Sequence, residues 1–326
     1  MRKAILKKIV EKIESSKSFL ITAHMNLEGD ALGSELATYM LLKKLKKKVV
    51  ICNNDPTPNI YKFLPFSRVI KNDVDKDWFD VAFVLDCSDS SRAGKIKDSL
   101  SRVGSIINID HHISNTYFGD INWVEPHASS TAQMLYRLCE KFKIMNKNIA
   151  FCLYTAMFTD TGNFTYANTD SETHKIVTSL MKYNLHPHKI YENLHSLCTP
   201  GDLNFIGKII ASLKFDANRN ICWATITHWK DKNYDLTEVI FQIMRLLKGV
   251  EVFLLFKKVD KNKTRVNFRS RSRVDVNRIA KFFGGGGHKR ASGTTVPANL
   301  EITEKNVISF VKRYTNGFRK KNGNKK

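Results

Sequence analysis

With 326 residues, 42% of them hydrophobic, the chain is long enough for two ordinary domains and apolar enough to give each a core. Fifty-three Lys and Arg against 31 Asp and Glu give a formal net charge of +22, which draws in polyanions and favours phosphorylated partners over neutral ones. No apolar run approaches the roughly 18 residues that span a bilayer, the amino-terminal segment lacks the apolar centre of an export signal, and the scattered cysteines include no CxxC pair, so a membrane protein and a disulfide scaffold are both excluded and a cytoplasmic location is expected.

The opening MRKAILKKIVEKIESSK carries Ile5, Ile9, Val10 and Ile13 at helical spacing. Apolar runs at Phe19–Ala23, Val49–Cys52, Val81–Leu85 and Ile106–Ile109 read as buried strands, and between and beyond them Asp30–Leu45, Ser129–Phe142, Asn148–Phe158 and Glu172–Tyr183 repeat apolar residues at three and four. Such alternation predicts an α/β domain on a parallel sheet. Around Pro187 and Pro200 the pattern breaks, which predicts a junction. The expected division is a catalytic domain over 1–187, a linker over 188–202, a smaller α/β domain over 203–316 and a disordered basic tail over 317–326. The smaller domain is predicted to hold strands Ile221–Thr227, Val250–Phe256 and Thr264–Phe268, a helix near Val276–Phe283 and then a glycine run.

Ligands in parallel sheets gather beyond the carboxyl ends of the strands. His24 follows the first strand, Asp86 follows Val81–Leu85, and Asp110, His111 and His112 follow Ile106–Ile109. In ITAHMNLEGDALGSELA, Gly29 would bend the chain tightly between His24, Glu28 and Asp30, with Asp30 also suited to cap its own helix. An Asp-His-His run at a buried strand end is costly without metal or hydrogen bonds. Asp160 follows the third helix and precedes Gly162. Oxygen-rich ligand sets with imidazole suit Mn²⁺. Downstream, Gly284–Gly287 is expected to lie outside any regular element with its amides open to an anion, and alternation would put Arg269, Arg271 and Arg273 on one strand face.

Together HMNLEGDALGS, VLDCSDSSRAG, NIDHHISN, TDTGNF and GGGGHKRASG resemble, in order, four motifs of the DHH phosphoesterase family and the signature of its DHHA1 domain. That resemblance implies a two-metal hydrolase with its active site in the interdomain cleft. One cation would be held by His24, Glu28 and Asp86, and the other by Asp30, Asp86, His111 and Asp160. Two divalent cations are implied, Mn²⁺ first, with Mg²⁺ or Co²⁺ as alternatives. The resemblance places His112 beside the transferred phosphoryl group and Asp110 behind the histidines. Arg92 is a candidate helper, and Arg269, Ser270, Arg271, Gly286, Gly287 and His288 are candidates to hold the substrate. One departure stands out: the family usually has Asp-Gly-Asp where this chain has Glu28-Gly29-Asp30, so the first cation would meet an arm one methylene longer. Within the family the chain looks most like bacterial nanoRNases that also dephosphorylate 3'-phosphoadenosine 5'-phosphate. A cyclic di-AMP or linear dinucleotide phosphodiesterase is the alternative, and a non-catalytic nucleotide- or RNA-binding module is the alternative of another class. Short RNA or small nucleotides are the expected partners, with no membrane, and a homodimer is left open.

Overall fold

The structure is a computed structural model that describes residues 2–73, 78–196, 198–218, 220–228, 236–287 and 289–322. It divides into two compact units, Met1–Ser196 and Leu197–Lys326.

In the first unit α1 (Arg2–Ser15) leads into β1 (Ser18–Ala23), α2 (Gly29–Lys44), β2 (Lys48–Cys52), β3 (Ile70–Lys71) and β4 (Val81–Leu85). There follow α3 (Lys97–Leu100), β5 (Ile106–Asp110), β6 (Ile121–Val124), α4 (Thr131–Phe142), α5 (Lys147–Asp160), α6 (Ser171–Met181) and α7 (Pro187–His195). The six strands form one sheet in the order β3-β2-β1-β4-β5-β6, parallel throughout. Every residue of VAFVL in β4 is buried, as a strand covered on both faces requires. Each of its larger side chains contributes about 1.5–3 kcal/mol by leaving water.

Helices α2 and α5 approach closely because Gly33 faces α5 without a side chain: a Cβ there would lie 2.5 Å from the Cys152 carbonyl oxygen and 2.8 Å from Ala156 Cβ. Asn146 starts α5 by accepting the amides of Asn148 and Ile149, and Ser130 starts α4 by accepting that of Gln133.

The second unit contains α8 (Pro200–Ala211), β7 (Lys214–Phe215), β8 (Ile221–Ile226), α9 (Thr237–Met244), β9 (Val252–Asp260), β10 (Lys263–Ser270), α10 (Val276–Phe282), β11 (Gly286–Gly287), β12 (Ala291–Val296) and α11 (Leu300–Asn322). Its sheet runs β11-β12-β10-β9-β8-β7, antiparallel except for β8 beside β9.

Three expectations need correction here. The stretch 188–202 is mostly helical rather than linker, since Pro187 and Pro200 occupy the first turns of α7 and α8, where a missing amide costs nothing. The tail expected to be irregular from residue 317 continues α11 to Asn322, and residues 323–326 lie outside the described residues. Gly286 and Gly287 belong to a regular element after all, the edge strand β11 paired to Gly293 and Ser292. Gly287 has φ +137°, and a Cβ there would crowd Ala291 O at 2.7 Å.

Candidate metal centre

Strands β1, β4 and β5 are neighbours at the centre of the parallel sheet, so their carboxyl ends deliver His24, Asp86 and Asp110-His111-His112 side by side. Asp86 leaves β4 with φ +52°, a left-handed conformation that Asp tolerates better than most residues, and its amide still donates to Ile109 O at 2.9 Å. Glu28 and Asp30 enter from the start of α2, and Asp160 from the last residue of α5.

Gly29 works differently from expectation. It has no positive φ; it is the first residue of α2, and a Cβ on it would collide with Thr159 Oγ1 at 2.3 Å. Its bare backbone lets the Glu28–Asp30 segment press against the end of α5, next to Asp160. The helix cap also differs. Glu28, not Asp30, caps α2, with its Oε1 accepting from Ala31 N at 3.0 Å. Asp30 instead caps α4, a hundred residues away, accepting from Thr131 N at 2.7 Å and Ala132 N at 3.0 Å. Carboxylates at helix starts meet free amides and a favourable dipole there.

The ligand-type atoms converge. His24 Nε2 lies 3.3 Å from Asp86 Oδ2. His111 Nε2 lies 3.6 Å from Asp86 Oδ1, 3.5 Å from Asp160 Oδ2 and 3.9 Å from Asp30 Oδ2. Two groups that could each hold an ion result, His24 with Glu28 and Asp86, and Asp30 with His111 and Asp160; a third combines Asp86 with His111 and His112. Backbone carbonyls orient two of the rings. His24 Nδ1 faces Met25 O at 2.6 Å and His111 Nδ1 faces Ala128 O at 3.2 Å, so a proton on each Nδ1 leaves both Nε2 lone pairs for the centre. His112 Nδ1 faces Asp110 Oδ1 at 2.6 Å, and fully buried Asp110 also accepts from Asn115 Nδ2 at 2.6 Å.

Burial and mutual repulsion make this cluster costly without a cation. Burial, reinforced by the Asp86 and Asp160 charges, pushes Glu28 up to about 8. Burial and the Asp86 charge take Asp160 to about 7, and burial with the charges of Asp86, Asp160 and Glu28 raises Asp30 well above the carboxylate range. Burial also raises Asp86, but the three surrounding histidines, His24 foremost, hold it low. Burial disfavours charge on His24 too, yet the hydrogen bond to Asp86 together with the Asp86 and Glu28 charges outweighs that and carries it to about 9. Crowded anions with imidazole lone pairs aimed among them fit divalent cations, which offset the repulsion and displace the protons.

Side chains that the sequence does not mark complete the surroundings. Thr131 Oγ1 donates to Asp86 Oδ1 at 3.1 Å. The Tyr61 hydroxyl lies beside Glu28, near the amide of Gly29. Fully buried Glu35, on α2, accepts from Asn53 Nδ2 at 2.8 Å, and Asn53 Oδ1 in turn accepts the Ala23 amide just before His24. Burial pushes Glu35 up to about 8 despite that hydrogen bond. Arg92, by contrast, presents its backbone to Met25 N while its guanidinium reaches only Ser88 Oγ at 3.4 Å; among the described residues it pairs with no carboxylate.

In the second unit Arg269 pairs with Glu238 at 2.8 Å and lies 5.0 Å over the Phe241 ring. Strand β10 ends at Ser270, so Arg271 and Arg273 do not share a strand face with it. Arg271 is committed to the carbonyls of Arg245, Leu247 and Val250, and the buried Ser270 hydroxyl to Val274 O at 2.7 Å. His288 lies outside the described residues.

Comparison with known proteins places the chain in a family. Residues 18–157 match the DHH family, N-terminal domain, and residues 209–317 match the DHHA1 domain. The bifunctional oligoribonuclease and PAP phosphatase of Thermus thermophilus is 30% identical over 295 residues, covering 90% of this chain and 88% of that protein. The protein of the same name from Bacillus subtilis is 26% identical, covering 88% and 92%. A crystal structure of an exopolyphosphatase-related protein from Bacteroides fragilis superposes with a TM-score of 0.88 at 25% identity, covering 97% of each chain. No described helix is long and apolar enough to cross a membrane. On this evidence the chain belongs to the DHH family and pairs its DHH domain with a DHHA1 domain.

Proposed function

We propose that the chain hydrolyses phosphoesters in short oligoribonucleotides, releasing mononucleotides, and converts 3'-phosphoadenosine 5'-phosphate to AMP. The convergence of His24, Asp30, Asp86, His111 and Asp160 carries this reading, and the names of the relatives supply the substrate class. His24, Glu28 and Asp86 would hold one cation and Asp30, His111 and Asp160 the other, with Asp86 turned toward both. Mn²⁺ is the ion we assign, from the mix of imidazole and carboxylate oxygen. When bound, the pair supplies Lewis acidity toward phosphoryl oxygens and water. The rest falls to the chain. Asp110 holds the His112 ring in register, from which position His112 presents its far edge to the phosphoryl group. Glu28 caps α2 with Oε1 and keeps Oε2 for the first cation, so the extra methylene relative to the family's Asp serves two tasks at once. Arg269 is the side chain of the second unit to which we assign substrate contact. The six cysteines, all free thiols, five of them buried, support a cytoplasmic location.

The test is a panel of RNA dimers to pentamers, 3'-phosphoadenosine 5'-phosphate and cyclic di-AMP offered to the Mn²⁺-loaded protein, ranked by kcat/KM. Higher values for RNA and 3'-phosphoadenosine 5'-phosphate support the reading; a preference for cyclic di-AMP replaces it with a cyclic dinucleotide phosphodiesterase. Binding without turnover replaces it with a binding module. Asp86→Asn is expected to lower kcat by more than about a thousandfold, as loss of a shared ligand and of electrostatic stabilisation would.

A further inference from the structure

Phe282, the last residue of α10, is 66% exposed, an unusual place for a ring. One of its faces is covered: Phe310 of α11 stacks on it with centroids 4.2 Å apart and planes 22° apart. Tyr314 continues the ladder, 6.2 Å from Phe310 and 17° from parallel, and Phe283 closes its side edge-on against both Phe282 and Phe310. Three rings thus share one orientation, and the outermost keeps its free face in water.

The charge around the ladder is mostly basic. From Asp275 to Thr315 the chain carries seven Lys and Arg against Asp275, Glu301 and Glu304, and Glu304 is committed to Lys214 and Trp223. Arg278, one turn before Phe282, has a side chain 74% exposed and lies 3.7 Å from the Asp275 carboxylate, close to Tyr314 at the far end of the ladder. Lys281 and Lys289, on either side of the glycine run, and Lys312 and Arg313, beside Phe310, are exposed. An apolar ring that only needed cover from another protein surface would have no use for this cationic rim. A flat ring among cations matches the flat base and charged backbone of a nucleotide.

We infer that Phe282, backed by Phe310 and Tyr314, is a stacking platform for a base of single-stranded RNA, with the surrounding Lys and Arg holding the adjoining phosphates. This rests on the proposed oligoribonucleotide substrate and deepens it: the platform rewards chain length, since a small bisphosphate nucleotide gripped elsewhere has no further base to offer. Stacking on a ring tolerates every base, so no sequence preference is expected.

The experiment uses the Mn²⁺-loaded full chain and a phosphorothioate-linked RNA pentamer carrying 2-aminopurine. Phe282→Ala is expected to weaken pentamer binding about tenfold and to diminish 2-aminopurine quenching, the weight of one base–aromatic stack. Phe282→Trp should restore both, and competition by 3'-phosphoadenosine 5'-phosphate should be unchanged in either variant. Equal pentamer binding in Phe282→Ala overturns the platform. So does an equal loss for pentamer and 3'-phosphoadenosine 5'-phosphate, or a change of oligomeric state on gel filtration, which would assign the ring to a second copy of the chain. If the wild type binds the pentamer through Phe282 but hydrolyses nothing in the panel above, the platform stands and the phosphoesterase reading falls.

Discussion

Replacing Glu35 by Gln should change stability in a strongly pH-dependent way. Glu35 is fully buried, receives one hydrogen bond from Asn53, and its Oε1 has no hydrogen-bond partner. Burial takes its carboxyl from an ordinary 4.5 to about 8. A folded-state value above the unfolded one means stability is fully present below pH 4.5 and is lost as pH rises toward 8, because the unfolded chain releases a proton that the folded chain retains. At about 1.4 kcal/mol per pH unit, the gap amounts to about 5 kcal/mol. An amide at this position has no such dependence. Urea unfolding of both proteins at pH 5 and pH 9, in chelator, gives a double difference from which the titration of every other group cancels. Because part of the gap is already lost at pH 5, the Glu35→Gln variant is expected to gain about 4 kcal/mol relative to wild type between the two pH values. A double difference near zero would show that Glu35 ionises freely, and one of opposite sign that its charge is stabilising; either refutes the reasoning.

Other consequences can be checked alongside. The rise in Tm on adding Mn²⁺ should grow from pH 6 to pH 9. Glu28, Asp160 and His24, with values of about 8, 7 and 9, all stabilise the metal-free fold below those values and lose that contribution as pH rises through them; Asp86, held low, changes only in acid. Gly29→Ala should cost about 1–3 kcal/mol in thermal unfolding and weaken metal binding, with Thr159→Ala in the same chain recovering part of both, because the new Cβ meets Thr159 first. Arg271→Ala should lower stability by about 1–3 kcal/mol with KM for 3'-phosphoadenosine 5'-phosphate unchanged, since its guanidinium serves three backbone carbonyls. Arg269→Ala should do the reverse, raising KM while bound metal measured by atomic absorption stays constant.

What could be read from the residue order, and what could not, follows from range. Val81–Leu85 is legible because a strand buried on both faces is a continuous apolar run, and His24, Asp86 and Asp110-His111-His112 are legible because each stands at the end of such a run. Strand β6 is missed: INWV puts an Asn between its apolar residues and is only four residues long. Pro187 and Pro200 mislead because proline both ends and begins helices. Thr131, Asn53 and Glu35 carry no local signal, since their partners come from other segments and only the folded sheet makes them neighbours. Asp30 is the sharpest case: its own helix is the obvious partner for a carboxylate at that position, yet it serves another.

That last bond sets an order of events during synthesis. Until residues 131 and 132 have been made and docked, the Asp30 oxygens lack the amides that fix them, and Asp160 comes later still. A nascent or clipped polypeptide ending before α4 therefore carries several of the acidic groups but not the scaffold that aligns them. The cluster is aligned only once the chain through Asp160 has been made and folded.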